Sequence, residues 1–453
     1  MVLPMSRATR VAGRLMPEIS LLRRGRKSAA RGGDDAEVEV SVPANFVCPI
    51  SLEMMRDPVT APTGITYDRE SVEGWLARGH DTCPVTGRPV RLADLVPNHA
   101  TRRMIQDWCV ANRARGVERV PTPRVPVGED DAEEVVAGVS AAARRGDVAA
   151  CGAAAATARA LGRESERNRR CLAGAGAAHA LSSAFGLLAG EAPIVEGAVA
   201  GALGEILAAL TVFFPLDEEC RSCIASPPSL KSLASLLSHG GELAARVSAA
   251  VVLRELASSG DRHALEAIAR AHGMCDALVG LVTSPVSSQA TKAALVTAYY
   301  LVSSGDRAAA RFAELGVVPA AVELLVDADK GTSEKALAVL DAALCADAGV
   351  ESARAHALTV PVLVKKMFRV SDMATDFAVS ALWRLCRAGA SAAPCRAEAL
   401  RVGAFQKLLL LLQVGCAGVT KERASELLKM LNGSRGSVEC IETVDFKGLK
   451  RPF

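Results

Sequence analysis

At 453 residues the chain exceeds what one hydrophobic core usually organises, so at least two folding units are expected. Half of it is apolar but only 4% is aromatic, with Ala, Leu and Val dominant from residue 132 onward, a balance that favours packed helices over sheets. A formal net charge of +3 with 23% charged residues is too even to imply a nucleic-acid partner for the whole chain.

The charge is uneven locally. Within an N-terminal tail of residues 1–42, the first 33 hold eight basic side chains (Arg7, Arg10, Arg14, Arg23, Arg24, Arg26, Lys27, Arg31) against the single acid Glu18. This reads as a disordered basic tail; a mitochondrial transit peptide is the alternative with the same composition. A secretory signal is not expected, because no apolar run follows the first arginines. Thirteen cysteines, an odd number, are scattered through apolar helical contexts such as Cys275, Cys345 and Cys386. They read as reduced thiols in cytosol or nucleus, not a disulfide framework.

Residues 43–116 form a small mixed unit. Cys48-Pro49-Ile50 opens it as a loop, because Pro49 has no backbone donor. Val59–Ala61 and Ile65–Tyr67 alternate as two short strands, joined through Pro62, Thr63 and Gly64. Asp68 is placed to cap a helix from Arg69 to about Arg78, with Val72, Trp75 and Leu76 on its inner face and Gly79 as its stop. A second loop, Thr82 to Gly87, repeats the Cys-Pro pair at Cys83-Pro84 and follows it with Val85. Asn98 then caps a helix that carries Ile105, Trp108 and Cys109 on one face.

Loop, hairpin, helix, loop, helix is the layout of a RING domain, which zinc would normally hold together. Only Cys48, Cys83, Cys109, His80 and His99 occur in this stretch, with no Cys-x-x-Cys, so no metal is expected. Polar pairing must replace it, and Glu53, Asp57, Asp68 and Arg69 are the candidates. Cys48 and Cys83 read as small packed thiols rather than nucleophiles, since no His/Asp pair accompanies them.

A spacer follows over residues 117–130, where Pro121, Pro123 and Pro126 block helix. From 131 to 431 the chain is helical. The segment from Ile194 to Phe214 nears the length of a membrane span, but Glu196 and Glu205 interrupt it and a buried helix is expected. Apolar triplets at i, i+3, i+4 then recur at Leu233/Leu236/Leu237, Leu278/Leu281/Val282, Val322/Leu325/Val326, a weaker Leu363/Lys366/Met367, and Leu408/Leu411/Leu412. Each precedes a polar break and a long apolar helix, as in Arg246–Ser258 and Thr291–Val302. A period of about 40–47 residues is that of armadillo-like arrays, whose hairpins bury their apolar faces only by stacking. Residues from Asp131 to Phe214 read as degenerate repeats, and 432–453 as a polar tail.

The strings Phe46-x-Cys48-Pro-Ile-Ser-Leu-Glu53, Asp57-Pro-Val-Thr60, Thr63-Gly-Ile-Thr-Tyr-Asp-Arg69, Trp75, Thr82-Cys-Pro-Val-Thr-Gly87 and Val96-Pro-Asn-His99 together resemble a plant U-box. With the repeats behind it, the chain is similar to plant U-box, armadillo-repeat E3 ubiquitin ligases. That resemblance implies a mostly α fold: a small α+β, RING-like, zinc-free U-box followed by an α-solenoid. It implies a ligase with no nucleophile or cofactor of its own, which docks a ubiquitin-charged conjugating enzyme while the solenoid presents a protein substrate. Carried over residue by residue, Ile50, Trp75, Pro84 and Val85 make the docking groove, Cys48 supports the first loop, and Trp75 is as consistent with a core role as with contact.

Some U-boxes place an orienting Arg just after the second loop. Gly87 aligns there, and Arg88 is the residue that could substitute by a shift of one position. The competing readings are a non-enzymatic armadillo adaptor with a weak or inactive U-box, and a basic-tailed nuclear transport factor, against which the missing Asn ladder argues. Tyr299, Tyr300, Trp383 and Arg384 are the aromatic or planar groups of the solenoid's long helices that could anchor a partner. The family resemblance further implies a cytoplasmic or nuclear plant protein of defence or stress signalling, and is compatible with a homodimer through the U-box.

Overall fold

The computed structural model describes residues 42–120, 126–189, 197–239, 242–387 and 390–434. The basic tail up to residue 41, the central prolines of the spacer and residues 435–453 lie outside the described residues. The chain divides into two compact units, taken here one at a time.

In the first unit, β1 (Pro58–Thr60) and β2 (Thr66–Asp68) form the expected antiparallel hairpin, with Val59 opposite Tyr67. Gly64 has φ +82° in the connecting turn, a conformation that costs a residue without Cβ nothing. A third strand that periodicity did not reveal, β3 (Val96–Pro97), pairs with the other edge of β1, giving the order β2-β1-β3. Two residues are too short to show an alternation, yet a lone hairpin is marginal in water and this strand completes it. Helix α1 (Arg69–Ala77) and helix α2 (His99–Ala111) cover the sheet. The core is Phe46, Met55, Val59, Tyr67, Val72, Ile105 and Cys109, with Leu76 and Trp108 half-buried against it. Val120, expected in the spacer, is buried in this same core, and its carbonyl accepts from the Gln106 side chain. An apolar Val so close to α2 gains more by packing than by extending into water.

Along the rest of the chain the helices succeed one another in threes from Glu166 to Ser434, following two longer helices, Glu129–Arg144 and Val148–Glu164. Each three contains a short first helix, a middle helix and, in most, a longer third one. The sequence triplets fall on the middle helices, with Leu233, Leu236, Leu237, Leu278, Leu281, Leu363 and Met367 fully or nearly fully buried. The long helices extend a little beyond the expected spans, to Leu243–Ser258 and Ser288–Ser304, and stack on one another from repeat to repeat. The last helix, Gly418–Ser434, runs three residues past the expected boundary at 431, because Asn432 and Gly433 continue its turn.

In the helix Ala198–Leu210, Leu203, Ile206, Leu207 and Leu210 are fully buried, and no single described helix is long and apolar enough to cross a membrane. Where third helices cross, side chains shrink: a Cβ on Gly204 would lie 2.6 Å from that of Ala245. Glycine there sets how closely two repeats stack.

Candidate functional site

The two Cys-Pro loops prove to be the same piece of backbone built twice. In the first, the Cys48 N–H donates to the Glu53 carbonyl at 2.8 Å and the Cys48 carbonyl accepts from Leu52 N–H at 2.9 Å. In the second, Cys83 N–H donates to the Arg88 carbonyl at 2.7 Å and its carbonyl accepts from Gly87 N–H at 2.9 Å. Each loop therefore closes from the cysteine to residues four and five positions on. Each also places its fourth position in the left-handed region: Leu52 at φ +58° and Gly87 at φ +67°. Glycine suits that conformation and leucine does not.

Leu52 is thus strained, and it is 78% exposed. Sequence reading passed it over, although aligning Cys48-Pro-Ile-Ser-Leu52 on Cys83-Pro-Val-Thr-Gly87 would have flagged it. A bulky apolar residue held in strained backbone and turned to solvent is a mark of a functional surface.

Both thiols sit inside their loops and are buried. Cys48 Sγ accepts from the Asp68 N–H at 3.3 Å. Burial pushes its thiol up, but backbone donors at Ser51, Asp68 and Ile50 outweigh this and hold it below the ordinary value. Cys83 Sγ lies 2.9 Å from the Tyr67 hydroxyl and accepts from Thr86 N–H at 3.3 Å and from the Thr63 hydroxyl. Burial again raises the thiol, while the Thr86, Tyr67 and Thr63 donors bring it down to about 6. Buried and surrounded by donors, the sulfurs gather their loops and face no substrate.

Helix α1 holds the two loops in one frame. At its start, Asp68 occupies the cap position but does not cap with its side chain. Its carboxylate reaches back to the N–H groups of Arg56 and Asp57, at 2.7 and 2.9 Å. The expectation of an ordinary cap is corrected: the first loop presents two unpaired donors, and they outcompete the helix's own. Asp57 in turn pairs with Arg69 at 2.7 Å and with Arg102 of α2 at 3.5 Å, while Glu73, buried, lies 3.8 Å from Arg69. Glu73 was not anticipated, although it stands one turn after Arg69. Glu53, expected to brace the loop with its carboxylate, is exposed and contributes its backbone carbonyl instead.

At the other end of α1, the Trp75 indole N–H donates to the Thr82 carbonyl at 2.8 Å, and its ring stacks on His80 at 3.9 Å. Trp75 is half-buried, so it both locks the second loop and shows a face to solvent. Ile50 is half-buried against the core, whereas Pro84 and Val85 are exposed. Arg88 is exposed too, immediately after Gly87. What emerges is an apolar rim carried on two rigid loops. Among the described residues no three His, Cys, Asp or Glu side chains come together as a metal cage.

In the solenoid, equivalent positions of successive third helices meet at one repeat's separation. Arg384 pairs with Asp341 at 3.2 Å, Arg423 donates to the Ser380 hydroxyl at 2.7 Å, and the Trp383 indole N–H donates to Glu426 at 2.6 Å, each across 43 residues. The guanidinium groups of Arg387 and Arg423 lie 4.6 and 5.4 Å from the centre of the Trp383 ring. Trp383 and Arg384 are half-exposed on this ladder. Tyr299 and Tyr300 are not available as anchors: both are buried and pack edge to face. Phenol rings on a crowded third helix gain more from the core than from the surface.

A RING-like unit held by packing and polar pairing, followed in the chain by an armadillo-type solenoid, is the architecture of the plant U-box class of E3 ubiquitin transferase. The family model of the U-box domain matches residues 42–114, and that of the plant U-box protein ARM repeat region matches residues 132–450. Among similar Arabidopsis thaliana proteins, U-box domain-containing protein 21 is 40% identical, covering 92% of this chain and 95% of its own. U-box domain-containing protein 20 is 38% identical over 92% and 94%, and E3 ubiquitin-protein ligase PUB23 is 34% identical over 88% and 94%. The chain belongs to the plant U-box proteins with an armadillo-repeat region, a family of E3 ubiquitin transferases.

Proposed function

We propose that the rim formed by Ile50, Trp75, Pro84 and Val85, with Leu52 beside it, docks a ubiquitin-conjugating enzyme charged with ubiquitin, and that the solenoid recruits the protein whose lysine receives it. The single observation that carries this reading is the pairing of two equivalent loops with opposite uses of their atoms. Their backbone polar groups and thiols are bonded within the U-box, while Leu52, Pro84 and Val85 are exposed and Ile50 is half-exposed. Such a surface can bind and orient but has no nucleophile to offer. Rate enhancement then comes from holding thioester and amine in a productive geometry. In this reading Arg88, exposed just after the left-handed turn at Gly87, takes the orienting role toward ubiquitin.

The twelve cysteines among the described residues are all unpaired, which supports a reducing compartment, cytoplasm or nucleus. A role in plant defence or stress signalling rests on the family alone. The test is reconstitution: the purified protein with activating enzyme, a panel of conjugating enzymes, ubiquitin and ATP. Ubiquitin chains are expected with at least one conjugating enzyme, and their absence with all of them sinks the reading. Ile50→Ala is expected to abolish chains while leaving the melting of the solenoid unchanged.

A further inference from the structure

One cluster of charge in the solenoid has no part in docking. The helix Thr359–Lys366 ends in Lys365 and Lys366, and Arg369 follows in the turn to the next helix, Asp372–Arg387. This turn faces the start of Lys330–Ala343, the third helix of the preceding repeat, across a cavity of about 180 Å³ lined by Lys330, Ser333, Lys365, Lys366 and Arg369. Lys366 is buried, and its ammonium donates to the Ser333 hydroxyl at 2.9 Å. Lys330, Lys365 and Arg369 are exposed, and among the described residues none makes an ion pair.

The neighbouring acids Asp327 and Asp329 act on the Lys366 ammonium across space, but among the described residues neither forms an ion pair with it. Asp329 caps its own helix and pairs with Lys292 at 3.2 Å, Glu334 accepts from the Ser371 hydroxyl, and Asp327 is exposed at the end of its helix. Burial first, and then Lys365 and Arg369, draw the Lys366 ammonium below the usual lysine range. Lys407 is drawn down in the same way, by burial and then Arg369. Lysines at a helix C-terminus commonly do no more than complement its dipole. That does not account for a cation buried between two repeats with three more around it.

The same turn is strained. Phe368 has φ +64° and is 41% exposed, held there as its N–H donates to the Thr375 hydroxyl at 3.1 Å. For a bulky side chain this is an unfavourable backbone conformation. The pocket is lined by four cations. It is smaller than the roughly 300–1,000 Å³ that encloses a whole small ligand. What fits is one compact, multiply charged group carried by something larger. A carboxylate brings one charge, while a phosphate monoester brings about −1.5 to −2 and three acceptor oxygens.

We propose that this pocket, built by Lys330, Lys365, Lys366 and Arg369, binds a phosphorylated side chain of the protein substrate. It rests on the reading that the solenoid recruits substrates, and it makes recruitment conditional on phosphorylation.

The test uses the full-length protein and short degenerate peptides centred on phosphoserine, serine or glutamate, with binding followed by fluorescence anisotropy. The phosphoserine pool is expected to bind about tenfold tighter than the serine pool, and the double variant Lys365→Ala/Arg369→Ala to lose that preference. Inorganic phosphate is expected to compete, and added salt to weaken the preference. Both substitutions are at exposed positions, so melting and self-ubiquitination should stay at wild-type levels. A serine or glutamate pool bound as tightly as phosphoserine, or a preference that survives in the double variant, overturns the proposal. Loss of chain formation in the wild-type protein would instead count against the ligase reading, since peptide binding is read without it.

Discussion

The indole N–H of Trp75 donates to the carbonyl of Thr82 at 2.8 Å, so a single side chain joins helix α1 to the second Cys-Pro loop. The residue that shapes the proposed docking surface is therefore also the one that ties the second loop to α1. Trp75→Phe keeps most of the ring packing but removes the bond, at a cost of about 1 kcal/mol to the U-box. Chain formation should drop several-fold, while Trp75→Ala should abolish it. Hydrogen exchange across Thr82–Gly87 in the intact protein reports the loosening. Unchanged exchange in Trp75→Phe would show that the tie is dispensable.

Leu52 offers a separation of stability from docking. Leu52→Gly relieves a left-handed backbone strain of about 1 kcal/mol while removing an exposed apolar side chain. The U-box is expected to be as stable as wild type or slightly more so, with weaker binding of the conjugating enzyme in titration calorimetry. A variant that binds equally well would place Leu52 outside the interface.

Asp57 joins α1 to α2 through Arg69 and Arg102. Asp57→Asn should destabilise the U-box by about 1–3 kcal/mol, because two partly buried guanidinium groups lose their shared counter-charge and Glu73 alone remains near Arg69. Urea unfolding followed by the fluorescence of Trp75 and Trp108 should move to lower midpoint. The solenoid transition, read by far-UV circular dichroism, should not move.

The Cys83 thiol should titrate with a midpoint near 6 in the folded protein, visible as a Cβ shift in spectra of cysteine-labelled protein. Tyr67→Phe deletes one donor to the thiolate and should raise that midpoint. The folded value lies below the ordinary thiol value of about 8.5. The thiolate's contribution to stability is thus complete above the unfolded value and is lost as pH falls through about 6. Cys83→Ser should flatten the rise in U-box stability across that window.

Gly349 lies on the short helix Asp347–Ala355, where an added Cβ would run into the Ala343 carbonyl oxygen. That neighbour is backbone and cannot swing away. Gly349→Ala should therefore cost about 3 kcal/mol and lower the solenoid's melting temperature, measured at 222 nm. A change smaller than that of Gly138→Ala, where nothing stands within 4 Å, would contradict the close approach.

Helices, repeat period and the U-box hairpin were legible in the sequence because they depend on neighbours three, four or two residues away. An apolar triplet such as Leu278/Leu281/Val282 signals its face without any knowledge of what will cover it. So did the two Cys-Pro strings, whose likeness was visible before their hydrogen bonds were. Gly64, too, announced its turn through the one residue type that accepts it freely.

What tertiary structure alone decided is where polar groups found their partners. Asp68 stands where a cap belongs, yet its carboxylate turns to Arg56 and Asp57, because the loop's donors had no other acceptor. Arg384 meets Asp341 and Lys366 meets Ser333 across 43 and 33 residues. Local spacing sets which face of a helix is apolar. Only the stacking of one repeat on the next, driven by that apolar face, determines which charges come together once it is buried.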